Sequence, residues 1–391
     1  MKPKVAVLTL HWSNNYGAVY QAYALQKFLS LHGYEPCILD YRMEAVCLSR
    51  ILRHPILSVQ KILQKNLLNI DFLVKRLKLR KSSSCHTSNH AIFNNFRDKY
   101  LRVSQHEYLY ADLRSSVEEF DAFIVGSDQV WAADFVFTSD AYLLGFVDRD
   151  RYSGKLISYA PSFGKSKLEP YLHKKFSGCV SQFDAISCRE SNGCEIVHTL
   201  VGRSAVKVVD PTLLISNYSE ISSYEVVPRN NYLLVYFLSQ DKTLAEWFFS
   251  VVEHLSREKG LEVVVVAPEG VDDRWMPNLI CPSPEELLGL IEKCSFMITN
   301  SFHGTVFSLI KQVQFLTLAR DCFSDKQNIR LIELLDAVGL SHRFMLAFLD
   351  ENMADKAANE NIDFEDVYIR LREVISGSQR FLLDALSSAS N

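Results

Sequence analysis

The chain alternates short apolar runs with longer segments whose apolar residues recur at helical spacing. The first run is Val5 to Leu10, a helical segment follows up to Gly33, and a second run covers Pro36 to Leu39. A strand, a helix of ten or more residues and another strand form one βαβ unit, which requires a parallel sheet. The sequence therefore predicts an α/β protein with doubly wound sheets.

The chain is also too long for a single core. Its 391 residues exceed what one hydrophobic core usually serves, so we expect two domains. A polar, serine-rich stretch from Ser216 to Asn230 separates the first alternating series from a second, which begins at Tyr232. We therefore predict a Rossmann-like N-terminal domain over residues 1–215 and a Rossmann-like C-terminal domain over residues 216–391 that finishes in one or two helices.

Composition narrows the class of protein. Hydrophobic residues make up 48% and charged residues 23%, and the formal net charge of −4 argues against nucleic-acid binding. The nine cysteines are odd in number and include no Cys-x-x-Cys pair, which favours reduced thiols. The first apolar run is too short for a signal peptide, and no run approaches the roughly 20 residues of a membrane span. We expect a cytoplasmic protein.

One segment differs from this average. Residues 48–81 contain nine lysines and arginines but a single acid, Asp71, interleaved with Leu and Ile. A basic amphipathic helix of this kind can lie on an anionic membrane surface. A solvated helix that covers the domain explains the composition equally well. The segment leaves both predictions open: peripheral contact with the inner face of the cell membrane, or an ordinary surface helix.

A strand gives way to a helix around His303. The apolar run Phe296 to Ile298 is followed by polar Thr299 to Ser301, and apolar residues return at helical spacing after Gly304. In a parallel sheet this junction lies at the carboxyl end of the strand, where ligands bind, and the helix start offers unpaired N–H groups. The pattern predicts an anion site. A histidine that only caps the helix is the alternative.

A second strand, Phe120 to Gly126, also ends in small polar residues. Asp128 follows it and suits sugar hydroxyls, and Trp131 is expected to pack on a pyranose face. A helix N-cap is the alternative for Asp128. Asp148-Arg149-Asp150 matches the Asp-x-Asp metal site of some sugar transferases, but two acids at this spacing often occur by chance, so no metal site is predicted.

Five short stretches, in this order along the chain, resemble the polysaccharide pyruvyl transferase family. They are Asn14-Asn15-Tyr16-Gly17-Ala18, Val125 to Trp131, Cys188-Arg189-Glu190, Asp210-Pro211-Thr212 and Ser301-Phe302-His303-Gly304-Thr305. The resemblance extends from about residue 5 to about residue 345. It implies a glycosyltransferase-B-like fold in which two domains face a cleft. It also implies transfer of pyruvate from phosphoenolpyruvate to a sugar of a surface or capsular polysaccharide, as a ketal, with release of phosphate.

The resemblance and the chemistry of phosphoenolpyruvate together predict the site. A carboxylate and a phosphate require cations or N–H donors, and ketal formation requires a proton. We expect His303 to be the catalytic group, either as proton donor or mainly as a phosphate ligand. The predicted phosphoenolpyruvate ligands, on the C-terminal side with one exception, are Arg189, Ser301, His303, Gly304, Thr305 and Arg330. The predicted acceptor residues, all on the N-terminal domain, are Asn15, Tyr16, Gly17, Asp128 and Gln129.

Other functions fit part of the same pattern. A nucleotide-sugar-dependent glycosyltransferase of the same fold is one, and a catalytically silent sugar-binding protein of a capsule-assembly complex is another. The proposed chemistry requires neither a metal nor a cofactor. Its partners are phosphoenolpyruvate and a sugar acceptor, which is free or lipid-linked. The sequence leaves open the acceptor sugar, the bridged hydroxyls, the ketal stereochemistry and the oligomeric state.

Overall fold

The structure is a computed structural model and describes residues 2–41, 85–164, 167–320, 325–346 and 351–387. The basic segment 48–81 lies outside these residues, so membrane contact through it stays a prediction. Within the described residues, no helix combines the length and the apolar character needed to cross a membrane.

The first alternating series forms one parallel sheet. Its strands are β1 (Lys4–Leu8), β2 (Glu35–Tyr41), β3 (Val103–Tyr108), β4 (Ala122–Val125), β5 (Lys155–Ser158), β6 (Ala185–Cys188) and β7 (Val206–Lys207). Its helices are α1 (Tyr16–Leu31), α2 (Cys85–Tyr100), α3 (Ala133–Thr138), α4 (His173–Val180) and α5 (Ser191–Val201). The strand order is β3-β2-β1-β4-β5-β6-β7. The order reverses between β1 and β4, where ligands of doubly wound sheets bind.

The second series forms another parallel sheet. Its strands are β8 (Tyr232–Tyr236), β9 (Glu262–Val266), β10 (Leu279–Ile280), β11 (Phe296–Thr299), β12 (Phe315–Leu318) and β13 (Phe344–Met345). The helices are α6 (Lys242–Lys259), α7 (Pro284–Lys293), α8 (Phe302–Ile310), α9 (Asp325–Ala337), α10 (Glu351–Asn359) and α11 (Phe364–Ser387). The order β10-β9-β8-β11-β12-β13 reverses between β8 and β11. The predicted α/β fold with two doubly wound sheets is confirmed.

Local sequence explains where these elements begin and end. The central strands β4, β5, β8, β11 and β12 are buried along their whole length, as expected for parallel strands covered on both faces. Helix α7 starts with a capping box in which Ser283 and Glu286 bond to each other's backbone N–H groups. Helix α6 ends at Gly260, whose φ of 63° suits a glycine.

The two sheets share one hydrophobic core. The hydroxyls of Tyr16 and Tyr20, both on α1, donate to Pro282 O and Pro284 O at 2.6 Å each. The ring of Tyr20 also packs edge-on against Phe307 of α8, with centroids 4.9 Å apart. A single cluster of buried side chains therefore runs from the first sheet to the second and joins them.

The last helix contacts residues at the end of the first alternating series. On α11, Ser378 Oγ accepts a hydrogen bond from Val209 N at 3.0 Å, and Gln379 Nε2 donates to Leu214 O at 3.0 Å. The domain boundary at residue 215 stays a prediction. The C-terminal helix contacts Val209 and Leu214, which lie on the N-terminal side of this predicted boundary.

One cysteine departs from the expected pattern. Five described cysteines are free thiols: Cys37, Cys179, Cys188, Cys194 and Cys294. Cys281 is disulfide-bonded. The expectation of reduced thiols throughout is therefore wrong at Cys281.

Candidate active site

His303 lies in the first turn of α8, at the carboxyl end of β11, as the sequence predicted. Ser301 caps this helix, because its hydroxyl accepts a hydrogen bond from Gly304 N at 3.3 Å. Gly304 lets the helix approach the strand, since a Cβ there would lie 2.6 Å from Thr299 Oγ1. The buried hydroxyl of Thr305 donates to Ser301 O at 3.1 Å. Ser301, Gly304 and Thr305 thus build a helix N-terminus suited to an anion.

The ring of His303 lies against two residues from the N-terminal side of the predicted boundary at residue 215. Its Nε2 atom is buried and lies 3.6 Å from Asp210 Oδ1, beyond hydrogen-bond distance. Gly17 lies against the other ring nitrogen, because a Cβ at this position would come within 2.0 Å of Nδ1. The His303 side chain is 12% exposed. Two stretches of the resemblance therefore meet at this ring.

This close approach makes Gly17→Ala informative. We expect the added methyl group to displace His303 and to lower turnover by about 10²-fold, since a misplacement of about 1 Å can have that effect. Gly178→Ala is the matched control, because Gly178 is also helical and, outside its own helix backbone and chain neighbours, no described atom lies within 4 Å of its ideal Cβ. Turnover and Tm would be measured for both. Full turnover of Gly17→Ala would show that Gly17 does not position His303.

Arg189 follows β6 and forms a buried cluster with two carboxylates. Its Nη1 donates to Asp210 Oδ2 at 2.8 Å and its Nε to Glu190 Oε1 at 3.3 Å, while the side chain is 2% exposed. Burial lowers the pKa of Arg189, but the charges of Glu190 and Asp210 outweigh it and raise the pKa above its usual value. Nη2 is buried and has no hydrogen-bond partner among the described residues. Unpaired buried donors are rare in folded proteins, so a ligand oxygen is the candidate partner of this one.

Asp210 connects Arg189 with His303. Its Oδ1 accepts hydrogen bonds from the backbone N and the hydroxyl of Thr212 at 3.1 and 2.8 Å, and Ser127 Oγ donates to its Oδ2 at 3.3 Å. Burial would raise the pKa of Asp210, but the charge of His303, together with the charge and the hydrogen bond of Arg189, holds it well below its usual range. Asp210 is therefore a buried anion between two potential cations.

Arg330 adds a second guanidinium group to the cluster. Its Nε lies 3.9 Å from Glu190 Oε1. The guanidinium carbons of Arg330 and Arg189 lie 5.9 and 5.1 Å from the centre of the same ring, that of Phe302. Burial and the charge of Arg189 lower the pKa of Arg330 to about 10. A cation in such surroundings would gain from a bound anion, because the anion would offset the repulsion from Arg189.

Helix α9 is fixed in the position that brings Arg330 to the site. Its Glu333 accepts hydrogen bonds from Ser191 N at 3.3 Å and forms an ion pair with Lys207 Nζ at 2.6 Å. Asn328 is buried, and its Oδ1 accepts a hydrogen bond from Arg320 N at 2.9 Å. The roles of Glu333 and Asn328 were not predicted from the sequence. Neither were roles for Glu190, Asp210 or Phe302, although all three lie in the stretches that carry the resemblance.

The predicted acceptor residues fall into different surroundings. Asn15 is exposed and caps α1 by accepting a hydrogen bond from Ala18 N at 3.3 Å. Tyr16 is 2% exposed and its hydroxyl is engaged by Pro282, so the structure shows it as a contact between the sheets. Asp128 is half-buried, and its charge acts on both Arg189 and Arg330. Sugar binding by these residues stays a prediction.

Gln129 and Trp131 lie just beyond Asp128. The side chain of Gln129 packs over Gly164, where a Cβ would lie 3.0 Å from its Cδ. Trp131 is fully buried, its Nε1 donates to Tyr142 O at 2.9 Å, and its ring packs against those of Phe163 and Phe176. The prediction that Trp131 packs on a sugar is therefore wrong.

The acidic pair in the Asp148-Arg149-Asp150 loop is not part of this cluster. Arg149 Nη2 bonds to Asp184 Oδ1 at 2.5 Å, and Asp148 pairs with Arg151 at 3.6 Å on the surface. In the ranges that the structure describes, no group of three or more His, Cys, Asp or Glu residues is placed to hold a metal ion.

Comparison with solved structures defines the class of fold. The glycotransferase of kitacinnamycin aligns with a TM-score of 0.50 and 10% identity, over 99% of this chain and 100% of that chain. MnaA of S. aureus with UDP aligns with a TM-score of 0.48 and 12% identity, over 99% and 98% of the two chains. At these identities the likeness concerns the fold alone. The chain is an α/β protein of the glycosyltransferase-B type.

Comparison of the sequence gives the family. Residues 56–321, more than half of the chain, match the family model described as polysaccharide pyruvyl transferase. The protein belongs to this family of transferases, and the family implies a sugar acceptor. No curated protein sequence matches the chain significantly.

Proposed function

We propose that this protein transfers pyruvate from phosphoenolpyruvate to a sugar of a surface or capsular polysaccharide, or of its lipid-linked precursor, as a ketal. The observation that carries the proposal is the pair of guanidinium groups of Arg189 and Arg330 beside His303, with Arg189 Nη2 buried and without a partner in the described part of the chain. Guanidinium groups bind carboxylate and phosphate oxygens bidentately. Phosphoenolpyruvate carries both groups on the same carbon atom.

The reaction requires that one proton be added to a carbon atom of phosphoenolpyruvate. A proton adds to the methylene carbon, and a sugar hydroxyl oxygen bonds to the adjacent carbon as its own proton passes to the deprotonated His303. The bond from that carbon to the phosphate oxygen then breaks. A second hydroxyl then bonds to the same carbon, and its proton leaves with the phosphate. His303 supplies the first proton, and Asp210, 3.6 Å from Nε2, is the counter-ion of the protonated ring.

The acceptor would approach from the N-terminal side of the site. Gly17 already touches His303, and Asp128 contributes a carboxylate near the two guanidinium groups. On this proposal Asn15, Asp128 and Gln129 bind sugar hydroxyls, while Ser301, Gly304 and Thr305 present the start of α8 to the phosphate. Positive charge that develops on the central carbon would be stabilised by the fixed carboxylates around it.

The activity can be tested by phosphate release. We expect the full-length protein to release phosphate from phosphoenolpyruvate only when a glycoside with a galactose- or mannose-type acceptor unit is present. Mass spectrometry should then show a pyruvate ketal on the glycoside. Transfer from UDP-galactose, with no phosphate release from phosphoenolpyruvate, would instead indicate a nucleotide-sugar transferase.

Donor binding can be tested apart from turnover. Phosphoenolpyruvate at 100 times its Kd should stabilise the wild type by about 2.7 kcal/mol, seen as a rise in Tm. Arg330→Ala should bind it at least tenfold more weakly, since a hydrogen bond to a charged group contributes about 1.5–3 kcal/mol. Arg372→Ala, an exposed arginine on α11, is the control and should respond like the wild type. An unchanged response of Arg330→Ala would remove Arg330 from the site.

A further inference from the structure

A second polar cavity lies at the same edge of the first sheet, outside the cluster around His303. It has a volume of about 500 Å³, within the usual range for ligand pockets. Its walls come from the loop between β1 and α1 and from one face of α2. The residues that matter here are Trp12, Asn14, His90, Asn94, Arg97 and Asp98.

The walls of this cavity carry two carboxylates and one guanidinium group. Asp98 is an exposed carboxylate, and Asp40 pairs with the buried His11 through Oδ1 and Nε2 at 3.2 Å. The guanidinium group of Arg97 already bonds to Asn14 Oδ1 at 3.0 Å and Asn94 Oδ1 at 2.5 Å. The cavity thus offers amides, carboxylates and imidazoles, and its cation is bonded to protein oxygens. Such walls suit a neutral ligand rich in hydroxyls and repel a phosphate.

One wall is aromatic. Trp12 lines the cavity and is half-buried, with its Nε1 donating to Tyr142 OH at 3.5 Å. An indole ring among hydrogen-bonding side chains is suited to the apolar face of a pyranose, while the polar groups bind its hydroxyls. Trp12, and not the buried Trp131, is therefore the indole side chain that is placed to pack on a sugar ring.

The cavity is close enough to the donor site to share one ligand with it. Asn14 lines the cavity, and Gly17, three residues later, touches His303. Three residues span at most about 11 Å, even when fully extended. A chain of a few sugar units can therefore place one unit beside His303 and the next in the cavity.

We propose that this cavity binds the sugar units that flank the one receiving pyruvate, so that the protein selects a glycan chain over a free monosaccharide. The proposal rests on the proposed function for the identity of the acceptor. Binding of the chain itself requires no phosphoenolpyruvate.

Two neighbouring asparagines on α2 provide a matched test. Asn94 and Asp98 line the cavity one helical turn apart, whereas Asn95 is exposed on the same helix and does not line it. Exposed substitutions usually change stability by no more than about 0.5 kcal/mol. The combined variant Asn94→Ala/Asp98→Ala and the control Asn95→Ala should therefore both fold, and each Tm would be compared with that of the wild type.

The measurement is binding of the full-length protein to an array of bacterial surface-polysaccharide fragments of one to four units. We expect fragments of two or more units to bind at least tenfold more tightly than their single units. The combined variant should lose this tenfold advantage, about 1.4 kcal/mol, and Asn95→Ala should keep it. All three proteins should show the same rise in Tm with phosphoenolpyruvate.

Three results would overturn the proposal. In the first, the wild type binds fragments of two or more units no better than their single units. In the second, the combined variant binds like the wild type. In the third, Asn95→Ala loses as much affinity for the longer fragments as the combined variant does. Failure of the proposed function looks different, because phosphate release from phosphoenolpyruvate would be absent while glycan binding still depended on Asn94 and Asp98.

Discussion

His303→Ala is expected to lower turnover by about 10²- to 10⁴-fold, the usual contribution of a positioned acid–base group. The fold should survive, because His303 Nε2 makes no hydrogen bond with the described residues and Asp210 keeps Arg189, Thr212 and Ser127 as partners. The rate of phosphate release would be measured at saturating phosphoenolpyruvate and acceptor. His198→Ala, an exposed histidine on α5, is the control and should retain full turnover.

The same variant separates the two roles left open for His303. A proton donor affects turnover, with little change in the Kd of phosphoenolpyruvate. A residue that mainly binds phosphate affects the Kd, which the rise in Tm reports without any acceptor. Wild-type turnover in His303→Ala would exclude both roles.

Asp210→Ala is expected to lower the free energy of unfolding by about 3–5 kcal/mol, because it leaves Arg189 as a buried cation without its closest carboxylate. The two side chains are 0% and 2% exposed and lie 2.8 Å apart. Asp366→Ala on α11 is the control, since it breaks a pair with Arg370 that is also 2.8 Å long but about half exposed. Asp366→Ala should lower the free energy of unfolding by less than about 1 kcal/mol. Equal effects in urea unfolding at pH 7 would contradict the buried-pair interpretation.

The loss of stability at low pH should also depend on Asp210. The pKa of Asp210 is depressed in the folded protein, so its stabilisation is complete above the unfolded pKa of about 3.9 and is lost as the pH falls below that value. Asp210→Asn removes the titrating group. The wild type should therefore lose more stability than Asp210→Asn between pH 5 and pH 3, values chosen to bracket about 3.9. Parallel losses would show that Asp210 does not carry the acid sensitivity.

The fold could be predicted because its signals are local. Each strand is a short apolar run and each helix a longer periodic one, and the handedness of βαβ units then limits the possible strand orders. The position of His303 followed from the same logic, since an apolar strand, the cap Ser301 and a periodic helix are adjacent in the sequence. Asp210 and Gly17 could be singled out through the resemblance, but their contacts with His303 depend on how the two halves pack.

Trp131 shows why other predictions failed. An aromatic residue just after a strand has the same local sequence whether it faces a ligand or the core. The rings that enclose it, Phe163 and Phe176, come from segments far along the chain. The contact of α11 with Val209 and Leu214 is likewise non-local, since nothing in the composition of the last helix indicates which sheet it will cover.

The shared core of the two sheets bears on when the site is assembled. Parting the sheets would break the hydroxyl bonds of Tyr16 and Tyr20 and expose large apolar side chains, each worth about 1.5–3 kcal/mol when buried. His303 and Asp210 come from opposite sides of this joint, so their pairing is completed by folding and does not wait for a substrate. A substitution that loosens the tyrosine joint should therefore slow the chemistry even though it alters no group that touches the reactants.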